Sequence, residues 1–131
     1  YLTNKAGEYI YSTFLSPHQA GVALATINMV RNADGKRESL KLISRWLRNK
    51  LAEYINVQTN YNTPIIPIIM GDSISTLKLQ TLLLNKGIVV GAVRPPTVPC
   101  GSARIRLSLN SELSKEKLEP LISIIKECSK K

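Results

Sequence analysis

Residues 91–109 read Gly-Ala-Val-Arg-Pro-Pro-Thr-Val-Pro-Cys-Gly-Ser-Ala-Arg-Ile-Arg-Leu-Ser-Leu, and the fold is read outward from them. The second half alternates, with Arg104, Arg106 and Ser108 on one face of a strand and Ile105, Leu107 and Leu109 on the other. The apolar side has the pattern of a sheet face laid on a core. The polar side carries two guanidinium groups one pleat repeat apart. A planar guanidinium grips a carboxylate or phosphate through two parallel hydrogen bonds, so this face suits the capture of such an acid. Upstream, Arg94-Pro95-Pro96-Thr97-Val98-Pro99 sets a third arginine before three prolines. Proline fixes φ and lacks a backbone donor, which predicts a stiff, extended arm.

Before the arm, Ile88 to Val93 has the composition of a strand, and Asn85-Lys86-Gly87 supplies a basic last turn and a left-handed stop for a helix from about 73 to 86. Pro64 to Met70 is a further strand. Its internal Pro67 demands an edge position or a bulge, because the ladder loses a donor there. After the arginine strand, Leu118, Leu121, Ile122 and Ile125 mark one stripe of a last helix from about 114 to 128. Pro120 is awkward inside it, since it removes an intrahelical bond. Strand, helix, strand, strand, helix in that order predicts an α+β fold: a small, mainly antiparallel sheet with helices packed on one face. The other face is left free to cover something outside this region.

Residues 1–15 read as a connector that ends in a short strand, Tyr9-Ile10-Tyr11, followed by the hydroxyls of Ser12 and Thr13. Those hydroxyls can bind an anion or close a local turn. Residues 16–131 then read as one domain with its linking helices. Ser16-Pro17 is a helix start, serine as N-cap and proline at the first helical position. The helix to about 32 is apolar on most sides, which predicts that little of it faces water. His18, the single histidine, has no partner in its motif and reads as structural. A second helix, about 36 to 56, carries Leu40, Ile43, Leu47, Leu51 and Tyr54 as its buried stripe. Its basic residues, Arg45 and Arg48 among them, read as a solvated face.

Composition bounds the function. The 131 residues suffice for one domain, and 44% hydrophobic with 21% charged residues are globular values. No apolar run is long enough to cross a bilayer, and no basic-then-apolar leader opens the chain. The first residue is Tyr1 rather than methionine, which is expected to mark a cut. Cys100 and Cys128 have neither metal-binding nor redox spacing and read as reduced thiols of a cytoplasmic protein, with no metal site. A formal net charge of +9 favours acidic partners. Scattered basic residues and only 5% aromatics argue against specific nucleic-acid binding.

Several of these segments together resemble a known family. Tyr9 to Pro17, Pro67 to Asp72, Gly87 to Val90 and above all Arg94 to Leu109 are similar to the C-terminal portion of the α-oxoamine synthases, pyridoxal-phosphate-dependent acyltransferases of fold type I. The Arg-Pro-Pro-Thr-Val-Pro element, followed by Gly101-Ser102-Ala103-Arg104-Ile105-Arg106, is most similar to the biotin-pathway branch. Relatives such as glycine C-acetyltransferase usually differ there.

The resemblance implies a cytoplasmic homodimer that condenses L-alanine with a pimeloyl thioester, on coenzyme A or acyl carrier protein. Carbon dioxide and the thiol would be released. Arg106 matches the arginine that holds the amino-acid carboxylate. Arg94 and Thr97 match the rigid segment near the entrance and the acyl-chain site. Ser12 and Thr13 match the position that approaches the cofactor phosphate of the neighbouring subunit. Arg104 is assigned to a supporting, structural role.

The family also needs a Schiff-base lysine in a Thr-x-x-Lys segment rich in small residues, a pyridinium-pairing aspartate and a ring-stacking histidine. None of these motifs occurs in residues 1–131. The chain is therefore expected to be the C-terminal domain with its connector, without catalytic residues of its own and inactive alone. The other readings are a family member with a different acyl donor, glycine C-acetyltransferase-like, or a stand-alone α+β ligand-binding module that seals its free sheet face by self-association.

Overall fold

The computed structural model describes residues 1–7, 15–57 and 63–129, which fall into two units, Tyr1–Asp34 and Gly35–Lys131. The expected strand at Tyr9–Tyr11 and the hydroxyls of Ser12 and Thr13 lie outside the described residues.

In the first unit, α1 is Leu2–Lys5 and α2 is Pro17–Arg31. The start of α2 is reciprocal. The Gln19 N–H donates to Ser16 Oγ at 3.2 Å, and the Ser16 N–H donates to Gln19 Oε1 at 3.3 Å, with Pro17 opening the helix. The expectation that α2 is largely buried is not met. None of its residues is buried, and Leu24, Ile27 and Val30 are exposed. A helix this apolar needs a second layer, and the described residues of its own unit offer only the four-residue α1.

The second unit holds α3 (Asp34–Ala52), β1 (Ile65–Gly71), α4 (Ser73–Asn85), β2 (Gly91–Val93), β3 (Ala103–Ser108) and α5 (Lys115–Ser129). The sheet is antiparallel with order β1-β3-β2, so the strand of alternating arginines is the central one. Ile66 and Ile68 of β1 and Ala103, Ile105 and Leu107 of β3 are buried on one face. Apart from Ala103, they join one core cluster with Ile43, Leu47 and Leu51 of α3, Leu79 and Leu83 of α4, and Leu118, Leu121, Ile124 and Ile125 of α5. This is the expected α+β arrangement, helices on one side and an uncovered sheet face on the other.

Pro67 sits where its chemistry permits. The Leu109 N–H donates to the Pro64 carbonyl at 2.8 Å, and Pro67 pairs with Arg106 in the same register. Counting along the alternation of an antiparallel ladder puts Pro67 in a non-hydrogen-bonded pair on an edge strand, so its missing N–H would have pointed away from β3. A register shift between Ile69 and Gly71 adds the bulge.

Arg48 departs from the reading of a solvated charged face. Its side chain is 1% exposed, and Nη2 donates to the Thr63 carbonyl at 3.2 Å, to Thr63 Oγ1 at 3.0 Å and to the Ile65 carbonyl at 2.6 Å. Ser44 Oγ donates to the same Thr63 carbonyl at 2.7 Å. The outward carbonyls that begin β1 are thus satisfied by α3 rather than by another strand. Burial pulls the Arg48 pKa below its ordinary value, and a guanidinium starts high enough to remain charged near neutral pH.

The segment before β2 also differs from expectation: only Gly91–Val93 is strand. Gly87, at φ +77°, closes α4 with paired bonds, Ile88 N–H to the Leu83 carbonyl and Gly87 N–H to the Leu84 carbonyl, both at 2.9 Å. Gln80 Nε2 then donates to the Val90 carbonyl at 3.0 Å. Helix-side partners occupy groups that a ladder would have used. In α5 the helix continues through the exposed Pro120, held by the buried Leu118, Leu121, Ile124 and Ile125.

Candidate substrate-carboxylate site

The uncovered face of the sheet is set by cross-strand register. Arg106 lies between Pro67 of β1 and Gly91 of β2, and Arg104 lies between Ile69 and Val93. Ile65 pairs with Ser108 at the end of the same face. No aspartate or glutamate occupies any of these positions. The ion pairs Lys36–Glu112, Lys41–Glu38 and Lys50–Glu53 include no residue of the sheet. Arg106 is exposed, and among the described residues no acidic side chain neutralises it. Ile65, beside Ser108, and Ile69, beside Arg104, are 48% and 50% exposed, so apolar side chains stand on the same face on either side of the Pro67–Arg106 pair.

Gly91 is the residue the sequence reading did not single out. A Cβ at this position would lie 3.5 Å from Arg106 Nε and 3.7 Å from both Cβ and Nη2. The arginine side chain therefore runs across the backbone of its β2 partner, in space that a side chain would take. Glycine opposite an arginine in a short edge strand was the available signal. It became meaningful only once the register was known.

Arg104 is held differently. It is half-buried, and its Nε donates to the Ser102 carbonyl at 2.9 Å. The Ser102 hydroxyl in turn donates to the Pro99 carbonyl at 2.6 Å, and its N–H reaches the same carbonyl at 3.2 Å. The turn that ends the proline segment thus fixes the root of this guanidinium.

The proline segment is not an extended arm. The Pro95–Pro96 peptide is cis, and the Thr97 N–H donates to the Arg94 carbonyl at 3.0 Å, which closes a turn directly after β2. A second turn at Gly101, φ +80°, leads into β3. β2 and β3 are antiparallel neighbours, so the connection has to reverse direction, and an extended segment could not do so. Arg94 and Thr97 are exposed in this reversal, at the end of the sheet where Val93 and Arg104 pair. The two arginines of β3 therefore share one face of the sheet, Arg104 at the end next to the turn that carries Arg94 and Thr97 and Arg106 one pleat repeat further from it.

Cys100 and Cys128 are exposed and unbonded to each other, and no group of three or more metal-ligating side chains occurs among the described residues. No helix of the described residues is long and apolar enough to cross a membrane. His18 stands exposed in the first turn of α2, in the other unit.

The chain matches the family described as aminotransferase class I and II over residues 1–125. It is 41% identical over 123 residues to the 8-amino-7-oxononanoate synthase of Ectopseudomonas mendocina, covering 94% of this chain and 32% of that protein. The corresponding protein of Lysinibacillus sphaericus is 37% identical over 130 residues, 99% of this chain and 33% of its own length. Among solved structures, Sphingomonas wittichii serine palmitoyltransferase superposes with a TM-score of 0.85 at 27% identity, over 98% of this chain and 33% of that one. The 8-amino-7-oxononanoate synthase of Francisella tularensis does so at 0.80 and 25%, over 98% and 38%. The chain spans about a third of the length of the curated relatives it matches.

Proposed function

The chain belongs to the aminotransferase class I and II family, and from that membership we propose that it forms part of a pyridoxal-phosphate-dependent acyltransferase of the 8-amino-7-oxononanoate synthase kind. The proposed reaction joins L-alanine to a pimeloyl thioester, carried on coenzyme A or acyl carrier protein, with loss of carbon dioxide, as a step of biotin biosynthesis. The observation that carries this reading is Arg106, an exposed guanidinium without an acidic partner among the described residues, on a sheet face with no acidic residue. Such a group is suited to take the alanine carboxylate through two parallel hydrogen bonds.

That face also carries no lysine, so it fits the substrate carboxylate and not the attachment point of the cofactor. Pyridoxal phosphate, when bound elsewhere in the enzyme, supplies the electron sink for the carbanion chemistry. The part of this chain is to bind and orient the amino acid with Arg106, and to line the acyl entrance with Arg94 and Thr97. The working enzyme is proposed to be a cytoplasmic homodimer, with Ser12 and Thr13 directed to the cofactor phosphate of the neighbouring subunit.

The test is direct. The cofactor-loaded enzyme, given L-alanine and pimeloyl-CoA or pimeloyl-acyl carrier protein, should release carbon dioxide and free thiol in equal amounts. Residues 1–131 alone, mixed with pyridoxal phosphate, should give neither turnover nor the absorbance band of a lysine-bound cofactor. The similarity to serine palmitoyltransferase supports a runner-up, another synthase of the family with a different acyl donor. Refusal of pimeloyl donors with acceptance of acetyl or long-chain acyl donors would decide for it.

A further inference from the structure

Arg104 presents a second cation that the reading above does not use, and its surroundings differ from those of Arg106 in a way that names a ligand. Arg106 is flanked by Pro67 and by the side-chain-free Gly91, so small groups reach it. Arg104 is flanked on both sides by hydrocarbon, Ile69 on β1 and Val93 on β2, and is half-buried between them. Its Nε is already given to the Ser102 carbonyl, which leaves the N–H groups of both Nη atoms for a ligand. No acidic side chain faces it from either neighbouring strand, and none among the described residues pairs with it. The two guanidinium groups are rooted two residues apart on one strand, about 7 Å.

A cation framed by apolar side chains suits an acid at the end of a hydrocarbon chain, because chain and acid are then satisfied by adjacent surfaces. We propose that Arg104 is a specificity residue that receives the far carboxylate of the acyl donor, while Arg106 holds the carboxylate of the amino acid. This rests on the synthase reading and extends it by giving the donor's far carboxylate a partner in this chain. Arg104 is held ready by the Ser102 turn, so donor selection is built into the same hairpin that supplies the amino-acid site.

The experiment compares pimeloyl-CoA with heptanoyl-CoA, which has the same chain length and no terminal carboxylate, in the cofactor-loaded enzyme and its Arg104→Gln and Arg104→Lys variants. The wild type should prefer the pimeloyl donor in kcat/KM by roughly tenfold to a hundredfold, the range of one charge-assisted hydrogen-bonded contact. Arg104→Gln should collapse that ratio toward one, mainly through the KM of the pimeloyl donor, and Arg104→Lys should restore part of it. The KM for alanine should move less than the KM for the donor. A wild type that uses both donors equally would overturn the proposal without any variant being made. A ratio that Arg104→Gln leaves intact, both donors losing activity alike, would reduce Arg104 to a brace for the Ser102 turn. Absence of condensation with either donor in the wild type would overturn the synthase reading itself, and this inference with it.

Discussion

The guanidinium of Arg106 lies across Gly91, its β2 partner, with Nε 3.5 Å from where a Cβ would stand. The cation therefore leaves room at this partner for a methyl group and not for a longer side chain. A methyl group at 3.5–3.7 Å is ordinary van der Waals contact, so Gly91→Ala should change little. Gly91→Leu must push the guanidinium aside, and should raise the KM for alanine with a smaller effect on the KM for the acyl donor. Steady-state kinetics with each substrate varied in turn measures this. Equal effects on both would show that Gly91 serves only the sheet.

Replacing Arg106 with alanine should cost about 1.5–3 kcal/mol of alanine binding, the range for hydrogen bonds to a charged group. Arg106→Lys should recover part of the loss, because an ammonium keeps the charge and loses the two-pronged geometry. The ratio of kcat/KM values for alanine reports it. An unchanged KM for alanine in Arg106→Ala would refute the assignment.

Arg48 should matter to stability and not to the substrate. Arg48→Met keeps much of the buried hydrocarbon while removing the donors to Thr63 and the Ile65 carbonyl. The expected loss is about 1–3 kcal/mol, the cost of leaving such acceptors without their partner. Urea unfolding of the chain gives the value, and a change within experimental error would show that water replaces the guanidinium without penalty.

Asp72 gives a prediction in pH. It caps α4, accepting from the Ser75 N–H at 2.8 Å, and its hydrogen bonds with Ser75 hold its carboxyl below the usual range. A pKa depressed by folding means stability that is present above the unfolded value, about 3.9, and lost as pH falls through the lower folded value. Asp72→Asn keeps an acceptor for the cap without the titration. The urea midpoints of the two proteins should therefore converge between about pH 5 and pH 2. A constant gap across that window would remove the carboxylate from the argument.

Much of this was legible from neighbours along the chain. The alternation of residues 103–108 announced a strand with one buried and one cationic face, and Ser16-Pro17 and Asn85-Lys86-Gly87 announced a helix start and a helix stop. Pro67 announced an edge. Each of these rests on dihedral preferences, periodicity or capping within a few residues, and such local terms are present in the sequence whatever the rest of the molecule does.

What the tertiary structure alone decided concerns groups brought together from distant positions. Arg48 shares its helix with solvated cations, and nothing local distinguishes it. It is buried because the carbonyls of Thr63 and Ile65 arrive beside it. The proline segment looked extended by its φ preference, yet it reverses because β2 and β3 must pair. Ile88 to Val90 had strand composition and lost the ladder to partners on α4. Gly91 comes to lie beside Arg106 only through the register of β2 on β3. Periodicity determines which face of an element is apolar. Which cation meets which carbonyl, and which glycine lies under an arginine, is determined by strand register and close packing between segments that the chain itself keeps far apart.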